Sequence, residues 1–236
     1  MKIGVTERGD AGLDFSWVDK LFQANIIISK NLNNKLIDNL IKYKDKIIFH
    51  MTCTGYGRTI LEPNVPSLTF TCEQIEKLIK KGFPARQIVL RIDPIISTNK
   101  GIFRVEIILN VFKNIGIKRV RFSFLDLYPN VQRRFLSKGI KPPYNSFTAP
   151  LHMREDALNM LDKWKDIYEL ESCTEDTPYQ LGCISQKDID ILGIDKKLEI
   201  GGYQRKGCLC AQGKTELLNN KFRCPHQCLY CYWKDK

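Results

Sequence analysis

The sequence predicts an α/β protein: a six-unit βα barrel, partial or closed and TIM-like, with a cysteine-rich C-terminal segment across its mouth. Three observations point there. Short β-branched apolar runs alternate with longer helical patterns six times over. Each apolar run ends in residues that are polar or cysteine-bearing. Most of the nine cysteines gather after residue 172. Strand–helix units in series build a parallel sheet with helices outside it, and right-handed crossovers let such a sheet curl.

The units follow in order. "KIGVTE" (2–7) reads as a strand and "SWVDKLFQ" (16–23) as a short helix. "NIIISK" (25–30) is a second strand, followed by the helical "NKLIDNLIKYK" (34–44). "KIIFHMTCTG" (46–55) precedes "CEQIEKLIKKG" (72–82), a helix that Thr71 would open as N-cap and Gly82 would close. "QIVLRIDP" (87–94) precedes the apolar-faced "FRVEIILNVFKNIG" (103–116). "RVRFSFLDL" (119–127) is a fifth strand, and "GIKPPYNSFTAP" (139–150) reads as a loop over one face. "REDALNMLDKWKDI" (154–167) repeats Leu158, Leu161 and Trp164 at helical spacing, before a sixth strand, "YELESC" (168–173). No compositional break separates a second domain. The barrel takes residues 1–172, and the cysteine-rich segment 173–236 packs on it.

Composition bounds the class. Hydrophobic residues at 43% and charged residues at 27% suit a globular protein rather than a disordered one. No apolar run approaches the roughly 20 residues of a membrane span, and the start lacks a secretory apolar region. A cytoplasmic protein without membrane contact is the expectation. The net charge is +11, with basic clusters at Lys80, Lys81 and Arg86, at Lys113, Lys118, Arg119 and Arg121, and at Arg133, Arg134, Lys138 and Lys141. Such a field suits an anionic partner such as nucleic acid. A lysine-rich solvated surface explains it equally well.

Grouped cysteines without a signal peptide point to metal or redox chemistry rather than disulfides. Cys224, Cys228 and Cys231 offer three thiolates to one compact site. On a 4Fe–4S cube, three thiolates leave one iron open, whereas structural zinc needs four ligands and would draw on His226. Cys173, Cys183, Cys208 and Cys210 form a second group, suited to a fully ligated 4Fe–4S cluster. Structural zinc or ordinary burial are the alternatives. Cys53 and Cys72 read as packing residues.

In βα barrels the chemistry collects at the C-terminal ends of the strands. Those ends carry Arg8 and Asp10; Lys30 and Asn31; Thr54, Gly55, Tyr56 and Gly57; Arg91 and Asp93; Ser123 and Asp126; and Glu175. The glycines of "TCTGYG" would let backbone approach a ligand, or would simply make a turn. Arg91 and Asp93 project from one face of a strand, two residues apart. Asp126 and Glu175 are the candidates for substrate contact or proton transfer.

The Cys-x-x-x-Cys-x-Tyr-Cys pattern resembles the signature of radical S-adenosylmethionine (SAM) enzymes. That resemblance implies a cluster whose open iron chelates SAM and whose electron cleaves it to a 5′-deoxyadenosyl radical that abstracts a substrate hydrogen. It also implies a six-unit barrel and a flavodoxin- or ferredoxin-like electron donor. Arg91 and Asp93 would then bind the carboxylate and ribose of SAM, or pair with each other. Tyr230 would stack near the adenine, or pack at the mouth. The cysteine loop here follows the last strand, whereas in that superfamily it follows the first.

More broadly, "TGYG" with "LEPNVP", then "RIDPI", "SFLDLY", "ESCTE", "GCIS", "GCLC" and "CPHQCLYCY" resemble one bacterial family of unknown function that carries such a cluster at its C-terminus. Its motif cysteines fall on the seven grouped above, and its strand-end positions on Arg8, Asp10, Lys30, Asn31, Arg91, Asp93, Ser123, Asp126 and Glu175. Two departures are visible. Glu7 precedes Arg8 where the family looks to have paired arginines, and residues 211–223 lack an acidic, glycine-containing pattern. The ending is also similar to that of spore photoproduct lyase, a DNA-repair enzyme.

The expectation is a two-cluster radical SAM enzyme acting on an unidentified anionic or nucleic-acid substrate. A zinc-stabilised nucleic-acid-binding protein and a non-catalytic iron–sulfur redox or sensor protein are the alternatives.

Overall fold

The structure is a computed structural model that describes residues 1–201, 207–218 and 224–233. Strands β1 (Ile3–Val5), β2 (Ala24–Ser29), β3 (Ile47–Thr52), β4 (Ile88–Ile95), β5 (Arg119–Phe124) and β6 (Glu169–Ser172) fall where the apolar runs put them. A seventh, β7 (Lys214–Glu216), lies outside the expected set. All pairings are parallel, in the order β6-β5-β4-β3-β2-β1-β7. The six expected strands are therefore wound sequentially, as in a barrel. The described sheet nevertheless stays open, with β6 and β7 at its edges. Where closure would bring β6 to β1, the free edge of β1 is taken by β7, in register from Ile3 opposite Lys214 to Val5 opposite Glu216.

The helices are α1 (Asn34–Lys42), α2 (Leu68–Lys80), α3 (Asn99–Phe112), α4 (Pro129–Ser137), α5 (Leu151–Asp162) and α6 (Gln186–Ile191). Helix α2 starts a turn before the expected point. Ser67, not Thr71, accepts the backbone N–H of Phe70 as N-cap, and Thr71 is buried inside the helix. Thr98 likewise caps α3 through the N–H of Gly101, ahead of the apolar face that marked it. The "SWVDKLFQ" stretch makes only a 3-10 turn at Val18–Lys20. Helix α4 was hidden in the proline-rich stretch after β5, where Pro129 occupies the first turn without losing a needed donor.

Two layers of packing fix the sheet. One face, with Ile27, Phe49, Leu90, Ile92, Val120 and Phe122, meets Leu36 and Leu40 of α1, Ile75 and Leu78 of α2 and Ile108 of α3. Cys53 and Cys72 lie in this core, as packing residues would. The opposite face carries Ile3, Val5, Ile26, Ile28, Ile48 and Val89, and it is covered by Ile184, Ile189 and Ala211. The cysteine-rich segment thus supplies both a strand and the filling of this face. It belongs to the same packed body as the strands before it.

On this second face the register also lines up charge. Arg91 stands beside Arg121, and Arg121 beside Glu171. Arg119 is held by Glu171 Oε1 at 2.9 Å and by Asp188 of α6 at 2.7 Å, while Arg121 also pairs with Glu171. These groups are almost fully buried, and such charges persist in a protein interior only when paired.

Candidate cysteine-lined site at the strand ends

The C-terminal loop 224–233 is bound back over the C-terminal ends of the strands by specific contacts. His226 Nε2 lies 2.7 Å from Asp10 Oδ2, just after β1, and its Nδ1 lies 3.2 Å from the carbonyl of Asn64. Asn64 donates to the carbonyl of Pro225 at 2.8 Å, and Leu229 N–H donates to the carbonyl of Leu61 at 3.0 Å. On the other side, Asn130 of α4 donates to the carbonyls of Tyr232 and Trp233, and Arg134 of α4 to those of Cys231 and Trp233.

Asp10 is the anchor at the first strand end. Its carboxylate accepts from Ser29 Oγ at 2.6 Å, from Lys30 N–H at 2.7 Å and from Gly12 N–H at 2.8 Å, as well as facing His226. Burial pushes the Asp10 carboxyl up, but the His226 hydrogen bond and charge, with the Ser29 and Lys30 donors, hold it below the usual carboxylate value. His226 has an oxygen acceptor at each ring nitrogen, so in this geometry it is not a fourth zinc ligand.

At the second and third strand ends, Lys30 Nζ lies 2.6 Å from Glu62 Oε1 and 2.8 Å from Tyr230 Oη. The Tyr230 hydroxyl donates to Glu62, and Thr54 Oγ1 lies 3.3 Å from it. Burial would lower the Lys30 ammonium, yet the charges of Glu62 and the Cys228 sulfur raise it above the ordinary lysine range. Tyr230 is thereby buried at the mouth with its hydroxyl committed to this network.

The three thiols share one electrostatic neighbourhood. Burial pushes Cys224 up to about 11, and the charges of Asp10 and Cys231 add to the rise. Burial pushes Cys228 up to about 12 against the pull of Lys30. Burial thus favours the protonated form of Cys224 and Cys228, and a metal taking these thiols would release protons. The upstream quartet forms its own cluster, with Cys183, Cys208 and Cys210 buried and Cys173 against them. Cys173 and Cys183 sulfurs lie 3.1 Å apart. Hydrogen bonds from Cys173 and Cys210, aided by Arg91 and Arg121 and opposed by burial, hold the Cys183 thiol well below its usual range.

Among the described residues, no three His, Cys, Asp or Glu side chains surround a common point as they would a single metal ion. The two cysteine groups are wholly thiol in donor type, three in one and four in the other, which suits iron–sulfur clusters and, for the quartet, zinc as well.

The remaining expected residues divide. Arg91 and Asp93 pair with each other, Nε to Oδ2 at 2.7 Å, and Ser123 donates to the second oxygen of Asp93. Of the two readings of this pair, the salt bridge is the geometry found. Glu175 accepts the N–H of Phe124 at 3.0 Å and faces Arg154 at 3.9 Å, so it closes the end of β5. Asp126 is half-buried near the Tyr144 hydroxyl, whose proton its charge helps to retain after burial. Arg8 is exposed, and its N–H donates to Glu216. Asn31 is half-buried, with its N–H on Ser29 Oγ.

Gly55 has φ +72 and turns its carbonyl to Arg104, whose guanidinium lies 4.6 Å from the Tyr56 ring. A Cβ on Gly57 would collide with the carbonyl of Pro66. Both glycines serve the turn, so internal packing accounts for them.

Several residues of the site escaped sequence reasoning. Glu62 lies in a loop whose pattern reads as a turn. The pairing of His226 with Asp10 spans 216 positions. Glu171 and the interior placement of Arg119 and Arg121 did leave a signal: arginines alternating through "RVRFSF" opposite glutamates alternating through "ELES". That placement corrects the basic surface, because Arg119 and Arg121 point inward, while Lys81 pairs with Asp38 at 2.8 Å.

A family model described as a domain of unknown function, DUF1848, matches residues 16–233. The chain belongs to that family. The match takes in both cysteine groups and every strand except β1, so in this family member the fold and the cysteine-lined strand ends lie largely inside the shared domain. A search of curated proteins found no match to the chain. Among the described residues, no helix is long and apolar enough to cross a membrane.

Proposed function

We propose that this DUF1848 chain is a radical SAM-type iron–sulfur enzyme acting on an anionic substrate at the C-terminal ends of its strands. The observation that carries the reading is the docking of the CxxxCxxC loop over those ends, through Asp10–His226 on one side and Asn130 and Arg134 on the other. A βα sheet offers its reactive groups at that edge, and the loop reaches it from the opposite end of the chain to the usual one.

Cys224, Cys228 and Cys231 would hold a 4Fe–4S cluster, and Cys173, Cys183, Cys208 and Cys210 a second. When bound, the three-cysteine cluster supplies an electron to the sulfonium of SAM. The chain's own groups prepare the place for it. Lys30 keeps a positive charge beside Cys228, sheltered by Glu62 and Tyr230. Arg91, Asp93 and Ser123 form a hydrogen-bonded polar group on β4 and β5.

The test is anaerobic reconstitution with iron and sulfide, followed by electron paramagnetic spectroscopy and incubation with SAM and dithionite. The expected result is two cubane signals and release of 5′-deoxyadenosine. Zinc without iron after anaerobic purification, or intact clusters that never cleave SAM, would overturn the proposal.

A further inference from the structure

Beside the cysteine loop, four aromatic rings follow one another across three separate stretches of chain. Phe147, in the loop after α4, meets Tyr128 edge-on at 5.0 Å between centroids and 84°. Tyr128 meets Tyr232 at 6.5 Å, and Tyr232 meets Trp233 at 5.3 Å and 31°. Three of these rings are open to solvent: Phe147 is 50% exposed, Tyr232 52% and Trp233 44%. Large rings usually end in cores, and a row of them left wet beside a polar rim marks a binding surface.

The stretches that carry Phe147, Tyr232 and Trp233 hold cations and no acidic side chains, while Glu7 and Asp93 act on Tyr232 from the strand ends. Residues 129–150 contain Arg133, Arg134, Lys138 and Lys141 and no Asp or Glu, and residues 224–233 contain no Asp or Glu either. Arg134 is spent on the carbonyls of Cys231 and Trp233, while Arg133, Lys138 and Lys141 are exposed. The carbonyls of Tyr232 and Trp233 are held by Asn130 and Arg134, so the backbone beneath the two rings is fixed by main-chain contacts that side-chain substitution leaves in place.

We infer that this row is a base-stacking platform for single-stranded nucleic acid. Rings held in one row, with Arg133, Lys138 and Lys141 exposed on the adjoining stretch, offer bases π-faces and phosphates counter-charges. A duplex keeps its bases stacked on one another and cannot use the rings. Trp233 lies two residues past Cys231, so a strand on the platform reaches the cysteine loop. Only that consequence, that the bound strand is the substrate, rests on the enzyme reading; the binding does not need a cluster.

The experiment titrates iron-free full-length protein with a fluorescein-labelled oligothymidylate of about 12 nucleotides, within the span that single-strand grooves take, at several salt concentrations. Anisotropy should rise, with a log–log salt slope of about −2 for three phosphate contacts. Trp233 is the most exposed of the three tryptophans, since Trp17 is fully buried and Trp164 half-buried. Its emission should be quenched, and Trp233→Phe should remove the quench while binding persists. Tyr232→Ala and Phe147→Ala should each weaken binding about tenfold at constant salt slope, and Lys138→Glu should make the slope shallower. The same-length duplex should bind more weakly.

Absence of binding at low salt overturns the inference. So does binding to which the ring variants are indifferent, or binding in which the duplex does as well. Strand binding together with intact clusters that never cleave SAM would leave the platform standing and sink the enzyme reading. SAM cleavage without strand binding would do the reverse.

Discussion

His226 Nε2 stands 2.7 Å from Asp10 Oδ2, joining the last ten described residues to the loop after β1. Both groups are buried, and Asp10 keeps three further donors, from Gly12, Ser29 and Lys30. His226→Ala therefore leaves a carboxylate that is still hydrogen-bonded, while releasing one point of the clamp. The expected cost is about 1–2 kcal/mol in urea unfolding, with faster proteolytic trimming of the C-terminus. Asp10→Ala strands several buried donors and should cost about 3 kcal/mol or more. Equal midpoints for the two variants would contradict this picture.

Lys30 and Glu62 form a buried pair with Tyr230 between them. Removing one partner leaves a charge without its counter-ion. Glu62→Gln and Lys30→Met should each destabilise by about 3 kcal/mol. The double variant should cost clearly less than the sum, since neither charge then remains. A double-mutant cycle by urea denaturation checks this, and strict additivity would rule out the coupling.

Acid stability should trace in part to Asp93. Burial raises its carboxyl and the Cys183 sulfur adds to that, but Arg91 and the Ser123 hydroxyl outweigh both and set it below the usual carboxylate value. A carboxylate lowered in the fold contributes stability that is fully present above about pH 4, near its unfolded value. That contribution is lost as pH falls through the lower folded value. The metal-free protein should keep a level unfolding midpoint from pH 7 to about 5 and lose stability below about 4. Asp93→Asn should lower the neutral midpoint by about 1–2 kcal/mol and flatten the acid limb; an unchanged limb would remove Asp93 from the account.

The cysteines should separate by role. Cys53 sits in the core between sheet and helices, where burial pushes its thiol up to about 12. Cys53→Ala should cost about 1 kcal/mol for the small cavity and leave iron content unchanged. Cys228→Ala should lose the iron of one cluster and all SAM cleavage while the upstream quartet keeps its own. Iron analysis with electron paramagnetic spectroscopy reads both outcomes. A Cys228→Ala protein that still cleaves SAM would break the ligand assignment.

Strand and helix identity was legible wherever burial imposes a period. The β-branched runs of β2 and β3 are covered on both faces, so they had to be mostly apolar along their whole length. Helix starts were misplaced where a cap lies ahead of the apolar stripe, as Ser67 and Thr98 do. The polar β7 gave no signal, because its place depends on a free backbone edge of β1 and not on its own side chains.

The site divides along the same line. The sequence by itself determined the donor chemistry: seven thiols in two groups, polar strand ends and an excess of cations. Only the tertiary structure decided which of these meet. It set His226 on Asp10, committed Tyr230 to Lys30 and Glu62, turned Arg119 and Arg121 inward, and aligned Phe147, Tyr128, Tyr232 and Trp233 into one row. The physical reason is that spacing along the chain constrains neighbours within a few residues. Contacts across a parallel sheet depend on strand order and register, which no local pattern encodes.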